Sequence, residues 1–204
     1  MHSPEGGERE LLVRAATRMF AALGYDGTSM EQVAEAAQMD LADIHPHFAT
    51  KRELYLEVMR HVRDVLSEAL QAVAEEMMTA SPERQAEMLY RFIDAYIDMC
   101  VAHPEVPALW MHRWLSDASD ISDLELESAQ PLAQLVVDAV AKVAGPADAD
   151  ALHTTYTMIW CIQGFALSGV LNGSGRRKGV EDAEQLERFR KHMHQLIGRV
   201  LRLS

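Results

Sequence analysis

Cysteine is almost missing from this chain: Cys100 and Cys161 are the only two in 204 residues. They form neither a C-x-x-C pair nor a disulfide framework, so reduced thiols in a cytoplasmic protein are the expectation. No charged-then-apolar leader opens the sequence, which points the same way. Long apolar runs are also lacking. The longest, Tyr156 to Leu171, has 16 residues and is interrupted by Gln163, short of the ~20 that a membrane-spanning helix needs. It reads as a buried helix, and no membrane partner is expected. Positive charge is scarce, with 19 Lys and Arg against 31 Asp and Glu and a formal net charge of −12. That balance counts against nucleic acid, because phosphate neutralisation supplies most non-specific affinity. A local basic edge on an acidic protein would be the exception.

Enzyme signatures are lacking as well. There is no G-x-S-x-G elbow and no H-E-x-x-H, and the stretch Gly175 to Gly179 lacks the Ser or Thr of a phosphate loop. Cys100 and His103 stand one helical turn apart, but Tyr96 and Ile97 beside them make core packing the better reading. His192 and His194 fall on different helix faces. Neither catalysis, nor a metal, nor a cofactor is expected.

What is present is helical periodicity. Apolar residues recur at three and four, while strand alternation and internal repeats are not found. Leu12, Ala15, Ala16, Met19, Phe20 and Leu23 line a first helix that Gly24 ends. Thr28, with Glu31 three residues on, predicts a capping box that opens a second helix with Val33, Ala34 and Ala37 buried. After a turn at Gln38–Met39, Asp40 is placed to cap a third helix running toward Phe48. A long fourth begins near Lys51. Pro82 starts the next, which carries Met88, Leu89, Phe92, Ile93, Tyr96, Ile97 and Cys100 and ends at His103–Pro104. A segment with Trp110, Met111, Trp114 and Leu115 follows, then an acidic loop from Asp117 to Glu127. A helix from about Pro131 to Ala144 is closed by Gly145–Pro146. The apolar stretch from Asp150 to Leu171, a Gly-rich basic loop and a last amphipathic helix complete an all-α chain.

Three short helices with a tight turn between the second and third make a helix-turn-helix. Over Leu11 to Met59 the residues resemble the TetR family of transcriptional regulators. Ala15–Ala16, Phe20, Gly24–Tyr25, Thr28–Ser29, Val33–Ala34, Ala36–Ala37, Phe48, Lys51 and Leu54 fall where that pattern expects them. Residues 1–7 read as a disordered lead, and the resemblance implies a DNA-binding domain over 8–50 and a larger helical ligand-binding and dimerisation domain over 51–204. It further implies a homodimeric regulator that a small effector releases from, or recruits to, double-stranded operator DNA, with a repressor as the expected form.

The departures fall where DNA should be read. Gln38 replaces the usual turn Gly, and Asp40, Leu41, Ala42 and Asp43 replace small and basic residues. His45–Pro46 stands where a Tyr is common, and no Lys or Arg lies between Gln38 and Thr50. Pro46 inside a helix would cost roughly 3 kcal/mol, and it biases His45 away from the α region. The recognition helix should therefore be short. Thr28, Ser29, Lys51 and Arg52 are the expected phosphate contacts. Gln38, His45 and His47 would touch base edges, and Leu41, Ala42 and Pro46 thymine methyls. An adaptor or ligand-sensing dimer with lost or altered DNA binding is the alternative.

Met88, Phe92, Tyr96, Met99, Trp110, Met111, Trp114, Tyr156 and Trp160 are candidate walls of an apolar effector pocket. Gln163, Thr155, Thr157 and His112 are its polar handles. The 150–171 helix is apolar all round, so its second face is assigned to a partner chain. Gly164, Ser168 and Gly169 on it, with Phe189, Met193 and Ile197 of the last helix, form the expected dimer interface.

Overall fold

In a computed structural model of the chain, residues 4–121, 129–144, 149–171, 173 and 175–203 are described. Helices dominate: α1 (Pro4–Leu23), α2 (Met30–Ala37), α3 (Leu41–Ile44), α4 (Lys51–Thr79), α5 (Pro82–Ala102), α6 (Glu105–Trp114), α7 (Gln130–Ala144), α8 (Ala151–Ser168) and α9 (Ala183–Val200). The all-α expectation holds, with one addition. The basic loop folds back as a hairpin, β1 (Val170–Leu171) antiparallel to β2 (Arg177–Lys178), with Val170 opposite Lys178. Two residues per strand are too few to show alternation, which is why the sequence pattern missed it.

Helix starts and stops follow their local chemistry, with some shifts. The expected lead is shorter than seven residues, because α1 already begins at Pro4; residues 1–3 lie outside the described ones. Gly24 ends α1 at φ +77, a left-handed conformation that glycine adopts without steric cost. The capping box of α2 is one residue later than expected. The Ser29 hydroxyl oxygen accepts from the Gln32 backbone N–H, and the Gln32 side-chain oxygen accepts from the Ser29 N–H. Asp150 caps α8 by accepting from the His153 N–H at 2.9 Å. α8 stops at Ser168, three residues short of expectation. Gly169 turns to φ +56 there, and a Cβ on it would collide with the Lys178 carbonyl. The expected stop at Gly145–Pro146 and most of the acidic loop lie outside the described residues.

Contacts divide the chain into two compact units. The first holds residues 1–64 and 108–128, and its core is built on Leu12, Phe20, Val33, Ile44, Leu54 and Val58. Tyr55 stands edge-on to Phe20 at 5.1 Å and 4.8 Å from Tyr25, tying α4 to the end of α1. The second holds 65–107 and 129–204. Here α5 packs on α8 and α9, and α7 packs on α8. Arg190 of α9 spans Asp94 (3.0 Å) and Asp98 (2.6 Å) of α5, and His194 reaches Asp94 at 2.9 Å. Among the described residues, no helix is long and apolar enough to cross a membrane.

The helix 2–3 turn carries a measurable strain. Gln38 sits at φ 58, ψ 41 while its N–H bonds back to Ala34 and Glu35. An L side chain there costs of order 1 kcal/mol that glycine avoids. Gln38→Gly should therefore raise unfolding stability by roughly 0.5–1 kcal/mol, net of the added unfolded-state entropy. Urea denaturation of the two proteins measures this, and an unchanged or lowered midpoint would contradict it.

Candidate nucleic-acid interface and effector core

The corner between α1 and α2 is bound from three sides. Asp117, just past α6, accepts the backbone N–H groups of Tyr25 (2.6 Å) and Asp26 (2.9 Å). The Lys51 ammonium donates to the carbonyls of Tyr25 (2.9 Å) and Thr28 (3.0 Å), and lies 4.3 Å from the centre of the Tyr25 ring. Thr28, only 3% exposed, gives its hydroxyl to the Gly24 carbonyl at 2.7 Å. Two expected phosphate contacts are thus reassigned. The Thr28 hydroxyl is consumed inside the unit, and Lys51 has spent two of its three donors on the corner.

The acidic stretch expected as a loop after α6 opens as a packed turn. Arg113 is buried and donates to the carbonyls of Asp117 (3.0 Å), Ala118 (2.5 Å) and Ile121 (3.0 Å), folding that segment into a turn that aims Asp117 at the corner. His112 reaches the Ala21 carbonyl at 3.2 Å and flanks Gly24, so it serves the corner rather than a ligand. Neither role was visible in the sequence, because each joins residues about ninety positions apart.

The recognition segment is as short as its proline predicts. α3 is a single turn, Leu41–Ile44, anchored by buried Ile44 and by Phe48 beyond it. Pro46 lies outside the helix, so it breaks nothing. His45 nonetheless stays helical at φ −55, ψ −34, against the bias of the following proline. The N–H groups of His47 and Phe48 both reach the Ile44 carbonyl at 2.9 Å, which holds that helical turn closed. Asp40 occupies the N-cap position, but its carboxylate makes no capping bond. Ala42, His45 and Pro46 are exposed, Leu41 and His47 partly so. Gln38, Asp40, Asp43, Pro46 and His47 line an open groove of about 1050 Å³ with Glu8, whose carboxylate stands 3.5 Å from His47. Ser29 stays partly accessible, and Arg52 is exposed with no ion pair among the described residues.

The expected effector residues separate. Met88, Phe92, Tyr96 and Met99 lie buried on one side of α5, and Gln163 of α8 joins them by donating its amide N–H to the Tyr96 hydroxyl at 2.6 Å. Trp110, Met111 and Trp114 belong to the first unit instead, and Trp114 is 40% exposed. Trp160 is 51% exposed, which removes it from an enclosed wall; Tyr156 is half-buried beside it at 5.6 Å. Gln163 Oε1 and the fully buried Thr155 Oγ1 have no partner among the described residues. Unmatched groups of this kind cost about 1–3 kcal/mol each. Burial pushes the Cys100 thiol, one turn from Tyr96, up to about 12 and also raises the Tyr96 phenol. Among the described residues no cluster of His, Cys, Asp or Glu is arranged to hold a metal.

The expected dimer residues also need correction. Met193 and Ile197 are buried within their own unit, where they seat α9 on α5, so they are closed to a partner. Phe189 stacks on Phe165 at 4.0 Å, and Gly169 is required by the hairpin. Gly164 keeps open space around it, and Ser168 is exposed with its hydroxyl bonded to the Gly164 carbonyl at 2.7 Å. Among the described residues of this unit, the exposed apolar side chains include Leu152, Trp160 and Leu167 along α8, continuing into Val170 and Leu171, with Val200 on α9.

Residues 12–58 match the model of the bacterial regulatory proteins of the tetR family. Curated relatives include the HTH-type transcriptional regulator RutR of Escherichia coli O157:H7, 24% identical over 138 residues, covering 68% of this chain and 61% of that protein. The HTH-type transcriptional activator FasR of Mycolicibacterium smegmatis is 32% identical over 96 residues, 47% of this chain and 41% of its own. The alignments thus span less than two-thirds of these relatives' lengths. The fold extends further. AibR, solved with isovaleryl coenzyme A and operator DNA, superposes with a TM-score of 0.72 at 16% identity over 93% of this chain and 97% of its own.

The corner makes a direct prediction. Asp117→Ala leaves two backbone N–H groups without their acceptor and should lower stability by about 1–3 kcal/mol. Lys51→Met should act on the same corner, and the double variant should lose less than the sum, because both serve one loop. Additive losses in urea titrations would show that the two contacts are independent.

Proposed function

We propose that this chain, whose residues 12–58 match the model of the bacterial regulatory proteins of the tetR family, is a homodimeric transcriptional repressor that binds operator DNA and answers to a small, mostly apolar effector. One observation carries the reading: α2, the Gln38 turn and α3 form a helix-turn-helix whose third element presents Ala42, His45 and Pro46 outward while Ile44 and Phe48 anchor it. With no Lys or Arg between Gln38 and Thr50, base readout rests on neutral side chains and on apolar contact with thymine methyls. Affinity then leans on phosphate contacts by Arg52 and Ser29. Asp43, exposed on α3, faces the anionic duplex and weakens it. The dimer is assigned to the exposed apolar stripe of α8, which a second copy covers through a two-fold axis.

A second reading has its own support. The groove beside α3 is lined by Glu8, Asp40 and Asp43, a surface better matched to a cationic protein segment than to phosphate. It favours an adaptor dimer whose helix-turn-helix has changed partner.

Selection from a random duplex library distinguishes the two, with enrichment of a palindromic motif expected. For the enriched site, Arg52→Ala should lower affinity for all sequences alike and flatten the salt slope by about one unit. Asp43→Thr should raise affinity by removing a repelled charge. Failure to enrich any motif across a range of salt would transfer the assignment to the adaptor reading.

Sedimentation tests the dimer. The wild type should be dimeric at micromolar concentration, Trp160→Asp monomeric and Trp160→Phe unchanged. A wild-type monomer would remove the assignment.

A further inference from the structure

The Gln163 amide is 3% exposed and half satisfied: its N–H reaches Tyr96, and Oε1 has nothing. With the N–H held on the Tyr96 hydroxyl, the end left open is the carbonyl oxygen, an acceptor. Thr155, two turns earlier on α8, is wholly buried, and its hydroxyl does not take the common helical option of bonding the carbonyl four residues back. Folded chains pair nearly all their buried polar groups. Thr155 and Gln163 are two such exceptions, roughly 12 Å apart along the helix, and Gln163 is the one held beside Tyr96.

The surroundings define what completes it. Among the described residues of the second unit, the buried polar side chains are Thr154, Thr155 and Gln163, and no buried residue there carries a charge. Burial also keeps the Tyr96 phenol and the Cys100 thiol neutral. A carboxylate or phosphate brought to Gln163 would be desolvated with no counter-charge, at heavy cost. An O–H or N–H donor would instead meet a ready acceptor. The same two helices bury Phe92, Met99, Met158 and Ile162, and methionines repack around apolar bodies of varied shape.

The geometry points to Gln163 as the residue that reads the effector's polar end, and to an uncharged effector: an alcohol or amide on an apolar body, with carboxylates and coenzyme A thioesters rejected. This deepens the effector reading proposed above and rests on it.

Five probes of one chain length test it: 1-octanol, octanamide, methyl octanoate, octanoate and octanoyl coenzyme A. Each is titrated by calorimetry and thermal shift against the full-length wild type, Gln163→Leu and the near-isosteric Gln163→Met, with circular dichroism confirming that the variants fold. Octanol and octanamide should bind the wild type, methyl octanoate at least about tenfold more weakly because it has no donor, and the two anions not at all. In both variants octanamide should lose about tenfold while methyl octanoate holds or gains. Anions binding as well as octanamide would overturn the inference. So would unaltered octanamide affinity in a folded variant, or binding of none of the five. The last result would leave the repressor reading intact if the duplex selection yields an operator, whereas octanamide binding without any operator would separate the two the other way.

Discussion

The first unit depends on how one tight corner satisfies its backbone. Between Gly24 and Thr28 the chain leaves α1 and enters α2, and five of its main-chain groups are claimed by three side chains. A carboxylate takes two N–H groups, an ammonium takes two carbonyls and a hydroxyl takes one. Bonds to charged groups contribute about 1.5–3 kcal/mol each, well above what a loop of this length gains from its own conformation. The corner fixes the entry direction of α2, α2 fixes the turn at Gln38, and that turn sets where α3 points. Because Asp117 comes from just past α6 and Lys51 from the start of α4, the aim of the recognition segment is a tertiary property.

The recognition segment shows local preference and packing in competition. Proline limits α3 to one turn, as its missing donor dictates. The αL turn at Gln38 and the helical φ of His45 before a proline both oppose local preference. They persist because Val33, Ala34, Ile44 and Phe48 are buried together in the same core, and burying four apolar side chains outweighs about 1 kcal/mol of backbone strain. The acidic residues are spared that competition, since they are exposed, and their effect is electrostatic rather than conformational.

In the second unit, α8 works in two directions. One side brings Gln163 to Tyr96 on α5; another leaves Leu152, Trp160 and Leu167 bare. The sequence showed a helix apolar all round, which requires two coverings. It does not say which residue faces which: Trp160, expected in an inner wall, stands outside, and Met193 and Ile197, expected at an interface, lie inside.

The sequence by itself determined the helices, their order and the helix-turn-helix, because caps, breakers and the 3.6-residue period act over a few neighbouring positions. Gly24, Pro82 and Asp150 ended or began helices where local chemistry requires it, and Gln163 was legible as the amide that interrupts an apolar run. Only the tertiary structure decided the work of Asp117, Lys51, Thr28 and His112, and which apolar side chains of α8 and α9 stay uncovered. Those outcomes depend on pairs such as Tyr25 with Asp117, 92 positions apart. A hydrogen bond of that span leaves no periodic trace in composition, since what makes it favourable is the geometry that the rest of the fold supplies.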